Sequence, residues 1–148
     1  MNNQQIGRSG ELLVQYTLLL NGIDSSPMTT DYGIDLVAFS PSKKKSMTIQ
    51  IKSNLKPKPG GGKGKPTLSW WIEDNTPADL VAFVDLSTES IWLFSAKEVA
   101  RFAQQHSSGR FQLYMNVELN VKVRNRRRKF VYQFERFRIH NRISHFFG

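Results

Sequence analysis

The chain has 148 residues, enough for one domain that buries about two-thirds of its unfolded surface without staples. It has no cysteine, which excludes a disulfide framework, a thiolate metal site and a cysteine nucleophile, and its three histidines, His106, His140 and His145, share no metal-ligand spacing. The formal charge of +9 is unevenly placed: residues 122–148 hold nine Lys/Arg against one acid, residues 1–121 are nearly balanced, and residues 43–65 carry eight lysines and no acid.

Residues 4–21 read as a helix, with Ile6, Leu13, Tyr16 and Leu20 as its apolar stripe and Gly22 placed for a C-terminal glycine cap. Residues 34–39 are a short apolar run, Ser40-Pro41-Ser42 and three lysines form a turn, and residues 47–53 alternate, which predicts a β-hairpin. The stretch K-P-K-P-G-G-G-K-G-K-P over 56–66 breaks both periods and predicts a long flexible basic loop; it lacks the GxxxxGK[ST] spacing of a phosphate loop. Strands are predicted over 68–72, 80–85 and 91–94, the last two pairing as neighbours. Trp70 and Trp71 are adjacent and therefore point to opposite faces, one into the core and one toward an interface. Ser95-Ala96-Lys97-Glu98 is a capping box that starts a helix to about residue 105, and Gly109 closes that unit. Residues 111–123 alternate as a strand, 124–129 are a basic turn or arm, and 130–139 alternate again, as a strand with one basic face. The order predicts an α/β fold with a mixed β-sheet in a single domain over 1–148.

The two basic segments point to a polyanion, and the arginines and aromatics of the second favour nucleic acid over an anionic membrane, for which no amphipathic helix is present. No apolar run approaches the roughly 18 residues of a membrane span, and the start, M-N-N-Q-Q, is unlike a signal peptide, so a cytoplasmic protein is expected, on the nucleoid when bound to DNA.

Three places carry the chemistry. Glu11 follows Gly7-Arg8-Ser9-Gly10 on the first helix; Asp35 ends Asp31-Tyr32-Gly33-Ile34-Asp35 at the start of the hairpin; Gln50-Ile51-Lys52 lies on its second strand. Alternation puts Gln50 and Lys52 on one face and Ile51 toward the core. Taken singly, Asp35 would cap the turn made by Gly33, Lys52 would be a solvated strand residue and Glu11 an ordinary helix position. Taken together they are what phosphodiester hydrolysis needs: carboxylates to hold Mg²⁺ on the scissile phosphate, and an ammonium to orient water and offset developing charge.

This arrangement resembles the PD-(D/E)xK nuclease superfamily, whose core sets a helix before a hairpin bearing D…(D/E)xK. The glycine-rich helix start followed by Glu11 is similar to archaeal Holliday-junction resolvases of that superfamily. The whole chain is similar to its homing endonucleases encoded in cyanobacterial group I introns. The resemblance implies a restriction-endonuclease-like core over about 1–121 with a basic C-terminal extension over about 122–148 for DNA binding and oligomerisation. It implies Mg²⁺ held by Asp35, Glu11 and the Ile51 carbonyl, with Lys52 serving the chemistry, and no small-molecule cofactor. Gln50 stands where the superfamily usually has an acid, so the site is one negative charge short and Glu11 gains weight.

The expected activity is a Mg²⁺-dependent double-strand break in a long DNA target. Lys56, Lys58, Lys63 and Lys65 would follow phosphates; Arg124, Arg126, Arg127, Arg128, Lys129, Arg136 and Arg138 would also bind DNA, with Arg136, Arg138 and their neighbours on a β-ribbon that enters a major groove. One site cuts one strand, so a homo-oligomer is expected, a dimer at least and a tetramer compatible with a long target, with the apolar stretch 130–147 in the interface. A structure-selective junction resolvase and a non-catalytic binder on a degenerate nuclease fold share these features and stay open.

Overall fold

The computed structural model describes residues 1–60, 64–119 and 127–148. Helix α1 (Asn3–Leu20) starts on a reciprocal cap, the Asn2 side chain accepting the Gln5 N–H and the Gln5 side chain accepting the Asn2 N–H. It ends where Gly22 takes φ +77° and donates to the Leu19 carbonyl while Ile23 donates to that of Leu18. The buried face is Gly10, Val14 and Leu18, four residues apart, whereas Tyr16 and Leu20 of the expected stripe are 61% and 69% exposed. A stripe drawn through the largest apolar side chains misses this face because α1 approaches the sheet most closely at a glycine. A Cβ added to Gly10 would lie 1.8 Å from Ser53 Oγ.

Two sheets stack. In the first, β1 (Asp24–Pro27), β2 (Leu36–Ser40), β3 (Lys45–Asn54), β6 (Leu80–Asp85) and β7 (Ser90–Ser95) lie in the order β1-β2-β3-β6-β7. The β2–β3 and β6–β7 hairpins form as predicted, and parallel pairing of β3 with β6 makes the sheet mixed. The second sheet is antiparallel, in the order β4 (Lys58–Pro59), β5 (Pro66–Glu73), β9 (Arg110–Asn116), β8 (Gln105–Ser107). Part of the expected basic loop is thus the short strand β4. Helix α2 (Ala96–Phe102) begins on the predicted Ser95–Glu98 box and stops short of residue 105, because Gln105 is already paired in β8.

β6 is an unbroken apolar run because both of its faces are covered. Leu80, Ala82 and Val84 pack with Val14 and Leu18 of α1 and with Ile139, Ile143 and Phe146 of α3 (Ile139–Phe147). Val81 and Phe83 pack on the other side with Leu68, Trp70 and Ile72 of β5 and Leu113 and Met115 of β9. Trp70 is the buried tryptophan, its Nε1–H donating to the Val84 carbonyl, and Trp71 is half-buried on the outer face.

Residues 130–139 are not a strand. Val131–Phe137 form a 3₁₀ helix that leads into α3. The same letters that alternate also place Phe130, Phe134 and Phe137 at helical spacing, and packing decides between the two periods: Phe134 and Phe137 are fully buried, Phe137 stacked on Phe94 at 4.6 Å. The C-terminal segment is therefore part of both cores. Of the apolar stretch expected at an interface, Phe130, Phe134, Phe137, Ile139, Ile143, Phe146 and Phe147 are buried and Tyr132 is exposed.

Candidate active site

Asp35 lies one residue before β2, after a turn set by Gly33 at φ +84°. Asp31 caps that turn, its Oδ1 accepting the Gly33 N–H at 3.2 Å, which leaves the Asp35 side chain for another task. The Asp35 N–H donates to the Ile49 carbonyl at 2.9 Å, so the β2–β3 pairing continues one step past Leu36. Backbone groups two residues apart on a strand face the same neighbour. Ile51 therefore turns its N–H and carbonyl toward the edge where β2 has ended, and there the Asp35 Oδ2 accepts its N–H at 2.6 Å.

Gln50 and Lys52 alternate away from Ile49 and Ile51, which enter the first core, as expected. Gln50 is buried, and its Oε1 accepts the Thr76 hydroxyl at 2.6 Å. Lys52 is half-buried. Glu11 reaches in from α1, one turn from Arg8, whose Nη1 lies 3.0 Å from its Oε2. Burial pushes the Asp35 carboxyl above its ordinary value; the Ile51 N–H pulls it back, the Glu11 and Asp31 carboxylates push it further, and Lys52 opposes them. Glu11 and Lys52 are thus each within electrostatic reach of Asp35. Asp31 joins them, a neighbour whose signal was the pair of acids flanking Gly33.

Among the described residues no group of three or more His, Asp or Glu side chains gathers as a metal cage. The groups around Asp35 that offer themselves to a cation are oxygens: the Asp35 carboxylate, the Ile51 carbonyl on the same strand edge and, within electrostatic range on the helix, Glu11. A half-buried carboxyl crowded by two others suits a hard cation that keeps most of its own water, as Mg²⁺ does.

The basic residues separate into groups. Lys56 and Lys58 line a groove that begins at Lys52. Lys65 faces Glu118 at 3.8 Å, and Lys129 lies over the Tyr114 ring at 5.8 Å. Arg127 donates to the Ala103 carbonyl. Arg128 and Arg136 converge with Arg101 on the Phe102 ring, at 5.0, 5.9 and 5.2 Å. Burial, then Arg136 and Arg101, lower the pKa of Arg128. Arg138 is held by Glu135 and the Ser90 hydroxyl over the Trp92 ring, so Arg136 and Arg138 do not form the expected groove-reading ribbon. Lys63, Arg124 and Arg126 lie outside the described residues.

No protein-family model matches the chain, and no curated protein matches it in sequence. In fold it is similar to the bacterial homing endonuclease I-Ssp6803I, at 13% identity and a TM-score of 0.63, covering 97% of this chain and 93% of that one. It is also similar to Hjc, a Holliday junction resolvase from the archaeon Archaeoglobus fulgidus, at 13% identity and a TM-score of 0.51, covering 72% and 82%. A mixed sheet flanked by helices, with these neighbours, gives the chain the restriction-endonuclease-like fold.

Proposed function

We propose that the chain is a Mg²⁺-dependent DNA endonuclease whose hydrolytic centre is Asp35, Glu11, Gln50 and Lys52. The observation that carries the proposal is the Asp35 carboxylate on the Ile51 N–H at the edge of β3, one residue from Lys52 and within the field of Glu11. Asp35, Glu11 and the Ile51 carbonyl would hold Mg²⁺, which when bound supplies charge neutralisation at the scissile phosphate. The Ile51 N–H fixes the Asp35 carboxylate in one orientation, so it need not reorganise when the phosphate arrives. Lys52 presents its ammonium to the incoming water and to the charge that develops on the phosphoryl oxygens. Gln50, clamped by Thr76, keeps β3 in place without adding charge, and Glu11 supplies the second negative unit.

The finer reading is a homing endonuclease, which cuts a long specific site in an intronless allele so that repair copies the intron. It is supported by fold likeness along nearly the whole of both chains. Cutting both strands takes at least two copies about a two-fold axis. With the C-terminal phenylalanines buried, an apolar surface that offers itself for that contact is the exposed face of α1, Leu12, Tyr16 and Leu19. The resolvase reading is supported by the likeness to Hjc over a smaller share of the chain. Offering the protein fragmented genomic DNA and a four-way junction, with Mg²⁺ or with EDTA, separates the three: recurrent cuts at one sequence support homing, cuts only in the junction support a resolvase, and binding without cuts overturns the enzyme.

A further inference from the structure

Between the start of α1, the end of β3 and the outer face of the second sheet lies a half-open groove of about 990 Å³. That is at the upper end of the roughly 300–1,000 Å³ of small-molecule sites, with room for more than one nucleotide. Its floor is tied to the candidate active site by one side chain. Two residues past Lys52, Asn54 grips β5 with both ends of its amide: Nδ2 donates to the Ser69 carbonyl at 2.9 Å, and Oδ1 accepts the Ser69 N–H at 3.1 Å. The strand carrying Lys52 and the sheet flooring the groove are thereby held in one register.

The lining has the chemistry of a strand of nucleotides. Among its described residues none is acidic, and three are lysines, Lys52, Lys56 and Lys58. Alternation along β5 sends Leu68, Trp70 and Ile72 into the second core and Ser69 and Trp71 outward, and β9 sets Tyr114 and Gln112 opposite them. A merely solvated sheet face would carry charges there; this one carries hydroxyls, carboxamides and two rings. Gln112 Nε2 donates to Ser69 Oγ at 2.8 Å, which orients the amide and leaves its Oε1 and second N–H for a ligand. The Arg110 guanidinium lies over the Trp71 ring at 5.1 Å, and the ring lines the groove, where it offers a surface to a base. Lysines for phosphates, a carboxamide for a base edge and a ring for a base face are the components of nucleotide recognition on a rigid strand.

We infer that this groove holds the nucleotides of one strand flanking the scissile phosphate, their bases turned out of the duplex stack, and that Gln112 and Trp71, on the outer face of the second sheet, read those bases. The inference rests on the nuclease reading, which makes Lys52 the end of the groove where the strand is cut. It moves sequence discrimination from the arginines of residues 124–138 to β5 and β9.

The test is a binding selection from a randomised duplex pool in Ca²⁺ buffer, where no cutting is needed, using the parent, Gln112→Ala, the isosteric Gln112→Met, Trp71→Ala and Lys58→Ala. We expect the parent to enrich a motif and both Gln112 variants to lose base preference at one or two adjacent positions by roughly tenfold. Trp71→Ala should degrade a neighbouring position, and Lys58→Ala should weaken all sequences alike. A motif left intact by the Gln112 and Trp71 variants, or a parent that enriches no motif, overturns the inference and leaves the nuclease reading standing. A motif lost in Gln112→Ala on DNA that the parent cannot cut in Mg²⁺ overturns the nuclease reading, and with it the place of the groove beside a scissile phosphate.

Discussion

Replacing Asp35 with Asn removes the charge and almost nothing else, so it separates a catalytic carboxylate from a structural one. In stability two effects oppose. The Ile51 N–H trades a charged acceptor for a neutral one, and hydrogen bonds to charged groups contribute about 1.5–3 kcal/mol against about 0.5–1.5 for neutral pairs, a loss of about 1 kcal/mol. Against this, the substitution relieves burial of a charge and its repulsion by Glu11 and Asp31. At about 2–4 °C per kcal/mol for a chain of this size, the metal-free Asn variant should melt no more than about 4 °C below the parent at pH 7. The pH dependence has a definite sign. The folded-state pKa of Asp35 is raised, so the folded protein holds this proton to higher pH than the unfolded chain. The stability from this group is fully present below its ordinary value of 3.8 and is lost as pH rises through the folded pKa, so the variant should gain on the parent over that window. Cleavage should fall by about 10³-fold or more, the several kcal/mol that a metal-holding charge supplies. Asp35→Ala instead orphans the Ile51 N–H and should cost about 1–3 kcal/mol. Thermal melts from pH 3 to 7 with cleavage assays at pH 7 check this; an Asn variant that melts more than about 8 °C below the parent at pH 7, or that cleaves at the parent's rate, would refute the reasoning.

Glu11→Gln should nearly eliminate cleavage, whereas Gln50→Glu, whose new carboxylate still meets the Thr76 hydroxyl, should cleave detectably at lower Mg²⁺; a Mg²⁺ titration of cleavage rate ranks the three proteins. Gly10→Ala forces its Cβ onto Ser53 and should cost about 1–3 kcal/mol, while Ser53→Ala removes a buried hydroxyl without a partner and should stabilise by about 1 kcal/mol, both read as shifts in Tm. Arg136→Gln relieves repulsion among Arg101, Arg128 and Arg136 and should raise Tm by roughly 1 °C at low salt, an effect that fades as salt increases.

The elements legible in the sequence were those whose cause is local. Gly22 and the Ser95–Glu98 box fix helix ends through their own backbone, and the β2–β3 hairpin follows from alternation around a lysine turn. What distant packing decides was not legible. Residues 130–139 satisfy strand and helix periods equally well, and packing of Phe134 and Phe137 against Phe94 selects the helical one. The α1 stripe failed because the inward position at the tightest contact is Gly10, invisible to a hydrophobicity count. Within the site, Asp35 and Lys52 could be placed because hairpin register is local. The part played by Asp31 and the grip of Asn54 on Ser69 depend on a turn conformation and on a second sheet that no spacing announces.

Whether Asp35 and Lys52 form a centre that hydrolyses DNA is tested by cleavage of DNA first enriched by binding without Mg²⁺, comparing the parent with Lys52→Ala. The parent should cut in Mg²⁺ and not in EDTA, while Lys52→Ala binds the same DNA within a few-fold of the parent, roughly the cost of one phosphate contact, and leaves it uncut. Cutting by Lys52→Ala at the parent's rate, or by the parent in EDTA, would contradict the account.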